Sequence, residues 1–245
     1  MENLSKLMDV ARSNIGFLLI CVGIIAAVIL SAYAAEAAIA KKRGVPRKNS
    51  KLKVRRLTII AMLSAISIVL MLFEIPLGFL PSFYKIDLSE LPVIIGAFTL
   101  GPVAGVVIEF VKIFLNLLIT GTQTMFVGEL ANFLIGCAFV IPASFIYYMK
   151  KGKKSAIIGL ATGTVVMVVA GCVLNAFVLL PKYAEVFQMP LDALIEMGTE
   201  KNAGIKGMFT FVVLAVAPFN LIKGSAVSII TVAIYKKISH ILKGE

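Results

Sequence analysis

Long apolar runs separated by short polar stretches set the plan of this chain. About 20 apolar residues cross the hydrocarbon core of a bilayer, so each run of that length predicts a spanning helix. The first covers residues 15–40 and is interrupted only by Glu36. Residues 57–73 form the second. A third run, 91–108, is broken at Gly101-Pro102, and a stretch over 103–119 follows with Glu109, Lys112 and Asn116. Proline disfavours helix at the preceding residue, so a short helix ends near Leu100 and a new one starts after the Gly-Pro step. Runs at 130–149, 155–181 and 207–235 complete the set, the last interrupted only by Lys223. The pattern predicts an all-α membrane protein: a six-helix bundle over 57–240, one extra helix over 1–40, and a linker over 41–56.

Composition removes the alternatives. Of 245 residues, 60% are hydrophobic and 15% charged, and the mean hydropathy is +0.99. Soluble domains carry about 25% charged residues, so there is too little polar surface here to clothe a water-soluble globule. The formal charge of +11 taken alone suggests nucleic acid, but its placement says otherwise. The segment 41–56 holds nine Lys/Arg and no acid. Lys150, Lys151, Lys153 and Lys154 fill the next basic loop, and Lys236, Lys237 and Lys243 lie near the carboxyl end. These three sites alternate correctly if all are cytoplasmic, whereas Asp87, Glu90, Glu185, Asp192, Glu196 and Glu200 fall in the opposite loops. A plasma-membrane protein with a cytoplasmic carboxyl terminus and an outside amino terminus is expected.

The run at 15–40 also reads as a signal peptide, because Ala-Tyr-Ala-Ala-Glu-Ala at 32–37 resembles a cleavage site. The basic block directly after it favours a retained helix. Cys21, Cys137 and Cys172 each sit in an apolar run without a CxxC or Cys/His grouping, and read as small buried hydrophobes.

Catalytic signatures are missing from the sequence. It contains no G-x-x-x-x-G-K-[ST] phosphate loop and no H-E-x-x-H, and its single histidine, His240, lies near the carboxyl end. Instead, a few polar side chains interrupt apolar helices, where a charge costs about 2.5–3.5 kcal/mol on insertion scales and needs a partner or a cavity. Lys223 stands three residues after Asn220, on one helical face. Pro218 beside them leaves the carbonyl of Leu214 without its helical donor, which predicts a kink. Asn175 lies six residues before Pro181, where the preceding run ends. Two amides and an ammonium suit a flat polar heterocycle, although interhelical hydrogen bonding explains the same residues. A helix starting at Gly207 puts Lys223 about 24 Å along it, deep for a site on the outer face.

Glu109, Lys112 and Asn116 share a face. Glu109 and Lys112 read first as a structural ion pair and second as an ion relay. Glu129 and Asn132 either line a pocket mouth or stabilise the loop 121–128. The loop 74–90, punctuated by Pro76, Gly78 and Pro81, reads as a lid or as an interfacial aromatic belt. Ala61-x-x-x-Ala65 permits close helix approach, or is chance in an alanine-rich helix.

Several stretches together resemble a known family. These are Tyr84-Lys-Ile-Asp-Leu-Ser-Glu-Leu-Pro92, Leu100-Gly-Pro-Val-Ala-Gly105 with Glu109 and Lys112, Gly121-Thr-Gln-Thr124, Gly128-Glu-Leu-Ala-Asn-Phe133, and Pro218-Phe-Asn-Leu-Ile-Lys-Gly224. The chain from about residue 53 to 237 is similar to the substrate-binding S components of energy-coupling-factor (ECF) vitamin transporters, and within them to the riboflavin-specific branch. The resemblance implies capture of riboflavin near the outer face, with no covalent step and no cofactor. It places Asn175, Asn220 and Lys223 at the flavin, and residues around Leu77, Phe79 and Phe83 at the cap. Phe79, Phe83 and Tyr84 are the candidates for the ring face, with Glu129 and Asn132 at the mouth. It puts Ala61 and Ala65 against a transmembrane coupling subunit, with ATP hydrolysed by two separate ATPase subunits. The helix at 15–40 has no place in the family's six-helix pattern. An S component for another vitamin, and a secondary transporter coupled through Glu109 or Lys112, are the rival readings. A membrane enzyme lacks the residues it would need.

Overall fold

A computed structural model describes residues 12, 14–44, 54–78, 80–81, 84–122 and 124–243, with side chains as far as residue 234. Helix α1 spans Ile15–Arg43, and its last turn holds Lys41, Lys42 and Arg43, cations that complement the negative end of the helix dipole. Helix α2, Val54–Leu72, buries Ile59, Ile60, Leu63, Ile68 and Met71 along one stripe. Its other face leaves Ala61, Met62, Ala65, Ile66 and Val69 exposed. An apolar face of this kind is stable only against lipid or another protein.

The loop after α2 contains a minimal antiparallel pair, β1 (Ile75–Pro76) with β2 (Lys85–Ile86), in which Ile75 opposes Ile86. An ion pair between Lys85 and Glu74 closes its base. Helix α3, Glu90–Leu100, is short and buried on most sides. The chain turns at Gly101, whose φ of +112° suits a residue without a Cβ. Pro102 then opens α4, Pro102–Thr120, at the position where a missing N–H costs nothing. Helix α5 covers Val127–Met149.

The next helix departs from the sequence expectation. It runs as α6 (Lys153–Leu174), a π-helical turn at Asn175–Leu179, and α7 (Leu180–Val186). Pro181 therefore does not end it. It falls in the first turn of α7, where the π-turn upstream has already changed the hydrogen-bond register. After α8 (Leu191–Thr199), the last span begins as α9 (Met208–Phe211), passes through a second π-turn at Val212–Val216, and continues as α10 (Ala217–Lys243).

Six of these helices are long and apolar enough to cross a membrane, α1 among them, and α3 is the shorter apolar one. Phe98, Val93 and Ile94 of α3 sit at the centre of the main core. Leu63, Ile108, Phe139, Leu160, Met167 and Val227 from five surrounding helices close around them. Helices α5 and α6 approach closely because Gly159 and Gly163 face the carbonyl oxygens of Ala143 and Phe139, where a Cβ would come within 2.5 and 2.6 Å. Small residues permit such backbone contact between membrane helices. Cys21 and Cys137 are buried thiols and Cys172 is half-buried, all three unbridged.

Candidate functional site

The loop between α2 and α3 turns into the bundle, so that Asp87, Ser89 and Glu90 are buried. Ser89 donates its backbone N–H to Asp87 Oδ1 at 2.7 Å, an Asx-type turn that folds the loop over just before α3. Ser67 of α2 donates its hydroxyl to the carbonyl of Ser89 at 2.6 Å and pins the turn. Asp87 and Glu90 are thereby aimed at α10, where Lys223 Nζ lies 3.0 Å from Asp87 Oδ2 and 3.0 Å from Glu90 Oε1. Lys223, well along the last span, is thus reached by the loop between α2 and α3.

Glu90 Oε1 also lies 3.4 Å from Lys112 Nζ, which sits 2.7 Å from Glu109 Oε1 and donates to Ser89 Oγ at 3.1 Å. Lys112 and Glu109 are fully buried, and Lys223 is 5% exposed. Buried charges need counter-charges, and here each ammonium faces two carboxylates. Burial alone would raise the Asp87 carboxyl. The Lys223 and Lys112 ammoniums, helped by Ser89, outweigh that and hold it at about 2.

Beside this charged floor stand the two buried amides. Asn175 opens the first π-turn. It accepts the Tyr84 hydroxyl at 2.6 Å and donates to the carbonyl of Gly171 at 2.8 Å. Asn220 donates to the carbonyl of Val216, the last residue of the second π-turn, at 3.0 Å. The helices meet here: a Cβ on Gly171 would come within 2.6 Å of Asn220 Nδ2. Leu214, which Pro218 deprives of an α-helical donor, lies inside the second π-turn. The expected irregularity at Pro218 thus takes the form of a π-turn, and such turns are frequent at functional sites.

An aromatic wall completes the region. The Tyr84 ring lies 5.2 Å from Phe219 and 6.2 Å from Phe211, centroid to centroid. Leu80, Leu180, Ile195 and Ile205 pack around these rings, with Leu77 half-buried at the edge. Polar donors and acceptors under an aromatic wall suit a flat heterocycle with a polar rim. The described residues form no group of three or more His, Cys, Asp or Glu side chains able to hold a metal ion.

Asn175, Asn220, Lys223 and Tyr84 are thus brought into one region. The Tyr84 hydroxyl bonds Asn175, and its ring packs at a tilt of 44° to Phe211 and 58° to Phe219. Phe79 and Phe83 lie outside the described residues. Glu129 Oε2 accepts the Thr124 hydroxyl at 3.2 Å, and Thr124 accepts the N–H of Gly128 at 3.0 Å, so Glu129 braces the loop at 121–128. Asn132 is exposed on α5, and Ala61 and Ala65 are exposed on α2. The sequence reading counted Asp87 and Glu90 only as loop charges. The signal that finds them is the spacing Asp87-x-x-Glu90 immediately before an apolar run, together with two intramembrane lysines in need of counter-ions.

Comparison with known proteins follows the same line. Residues 55–235 match the family described as ECF transporter, substrate-specific component. The chain is 37% identical over 197 residues to the riboflavin transporter RibU of Staphylococcus aureus, which spans 80% of this chain and 97% of that protein. It is 34% identical over 188 residues to the riboflavin transporter FmnP of Bacillus subtilis, at 76% and 93% coverage. A solved S component of a bacterial ECF transporter superposes with a TM-score of 0.61 at 38% identity, covering 77% of this chain and 97% of that one.

Proposed function

Because the chain belongs to the substrate-specific components of ECF transporters, we propose that Asn175, Asn220 and Lys223 form a high-affinity riboflavin site under the wall made by Tyr84, Phe211 and Phe219. Riboflavin uptake as the substrate-binding subunit is the function of the chain, which is a multi-pass protein of the bacterial plasma membrane and not an enzyme. Capture is non-covalent. Lys223 directs two of its three ammonium protons at Asp87 and Glu90 and has a third for a ligand oxygen or ring nitrogen. The amides supply both donors and acceptors. Leu77, with Phe79 and Phe83, belongs to the cap, and Glu129 and Asn132 lie toward the mouth. The single observation that carries this reading is the convergence of a buried ammonium and two buried amides at a pair of π-turns.

The partner is an ECF transporter module. Within it, Ala61 and Ala65 on the exposed stripe of α2 meet a transmembrane coupling subunit, and two ATPase subunits supply the energy. The positive charge at 41–56, 150–154 and 236–243 puts the carboxyl terminus in the cytoplasm. The binding domain is 57–240, preceded by the segment 1–40, which carries the spanning stretch of α1, and the basic linker at 41–56. A flavin-fluorescence titration of the detergent-purified chain, with thiamine and folate as competitors, tests the site. Saturable one-to-one quenching by riboflavin that competitors leave untouched is expected. Absence of quenching by a folded protein overturns the substrate assignment.

A further inference from the structure

Helix α1 lies outside the stretch that matches the family, which begins at residue 55, and the riboflavin reading assigns it nothing. By length and apolarity it is a spanning helix, and most of its surface is open to lipid. Three observations show that it is also fixed to the bundle. Near its start, Phe17 packs against the cluster of Val127, Ala131 and Leu179. At mid-length, Ala32 is fully buried in a cluster with Val103, Val106, Phe133 and Cys137 of α4 and α5. Near its end, Glu36 Oε1 accepts the backbone N–H of Val103 at 3.2 Å, in the first turn of α4.

That third contact is chemically specific. The first N–H groups of a helix have no intrahelical acceptor, and a carboxylate there also meets the positive end of the helix dipole. The preceding residue is Gly101, and a Cβ at that position would fall 2.6 Å from Glu36 Oε1. Glycine at the break between α3 and α4 therefore makes room for the carboxylate of another helix. The only charged residue in the apolar run of α1 is the one that makes this contact. Meanwhile Ala61 and Ala65 on α2 stay exposed, so α1 packs without covering them.

We infer that α1 is a retained seventh helix latched by Glu36 onto the amino-terminal turn of α4, and that it moves with the binding domain as one body. The α2 face with Ala61 and Ala65 stays open beside it. The inference concerns chain packing and stands apart from the riboflavin assignment.

The test uses the full chain with a specific protease site placed in the linker at 45–53. After cleavage in detergent, α1 is expected to co-elute with the bundle on size exclusion. E36A releases it in a larger fraction, whereas E36Q, whose amide oxygen still accepts the Val103 N–H, holds it. Intact-mass measurement of the uncleaved protein from bacterial membranes is expected to find residues 15–40 present. Separation of α1 from the wild-type bundle overturns the latch, as does equal retention in E36A. A mature chain starting after residue 35 overturns the inference altogether.

Discussion

Asp87 and Lys223 meet at 3.0 Å across 136 residues of sequence. The contact joins the loop that follows α2 to the middle of the last span. It also fixes the floor of the site, since Glu90 Oε1 serves Lys223 at 3.0 Å and Lys112 at 3.4 Å. Lys223→Ala removes both the proposed flavin contact and the counter-charge of two buried carboxylates. Riboflavin binding is expected to weaken by about 1–3 kcal/mol, the cost of leaving buried polar groups unpaired. Asn220→Ala is expected to do the same within that range. Fluorescence titration of each variant decides, and near-native affinity in both removes the site assignment.

Acid should loosen the same floor. The Asp87 carboxyl is held at about 2 against its ordinary 3.8. A carboxyl depressed in the folded state stabilises it above the unfolded value, and that contribution is lost as pH falls through the folded one. Thermal stability in detergent is thus expected to decline between about pH 4 and pH 2, by roughly 2 kcal/mol from this group. Asp87→Asn is expected to lower stability at neutral pH and flatten the acid decline. An unchanged acid slope in that variant counts against the pairing.

Tyr84 and Asn175 act as a unit. Their hydroxyl–amide bond at 2.6 Å orients the Asn175 side chain so that its nitrogen points at Gly171. Tyr84→Phe keeps the aromatic wall and removes only the donor, at an expected cost of about 0.5–1.5 kcal/mol in riboflavin affinity. Combined with Asn175→Ala, the losses are expected to be less than additive, as for residues in direct contact. Strict additivity in the double-mutant cycle refutes the coupling.

The exposed stripe on α2 gives a prediction of the opposite kind. Ala61→Trp adds bulk on the face turned away from the site, so riboflavin titration is expected to be unchanged while uptake into cells fails. Normal uptake in this variant defeats the docking role of Ala61 and Ala65.

Spanning helices and basic loops were legible in the sequence because the bilayer imposes length and charge rules on local stretches. Asn175, Asn220 and Lys223 stood out for a related reason: polar groups are costly in apolar helices and so mark themselves. Asp87 and Glu90 were hidden because acids in a loop are unremarkable. Only the Asx turn at Ser89, pinned by Ser67 from another helix, reveals that they point inward. The continuation of the helix through Pro181 was misjudged because a π-turn has no distinct hydrophobic period. The bond from the Tyr84 hydroxyl to Asn175 was not legible, because composition does not show which partner a tyrosine hydroxyl finds.

The two π-turns, Asn175–Leu179 and Val212–Val216, bear on how this chain should be aligned with its relatives. A π-turn is equivalent to one residue inserted into an α-helix. Each residue of an α-helix advances the side chain by about 100°. A relative lacking the insertion, aligned here without a gap, would appear to carry its amides about a quarter-turn away from the site.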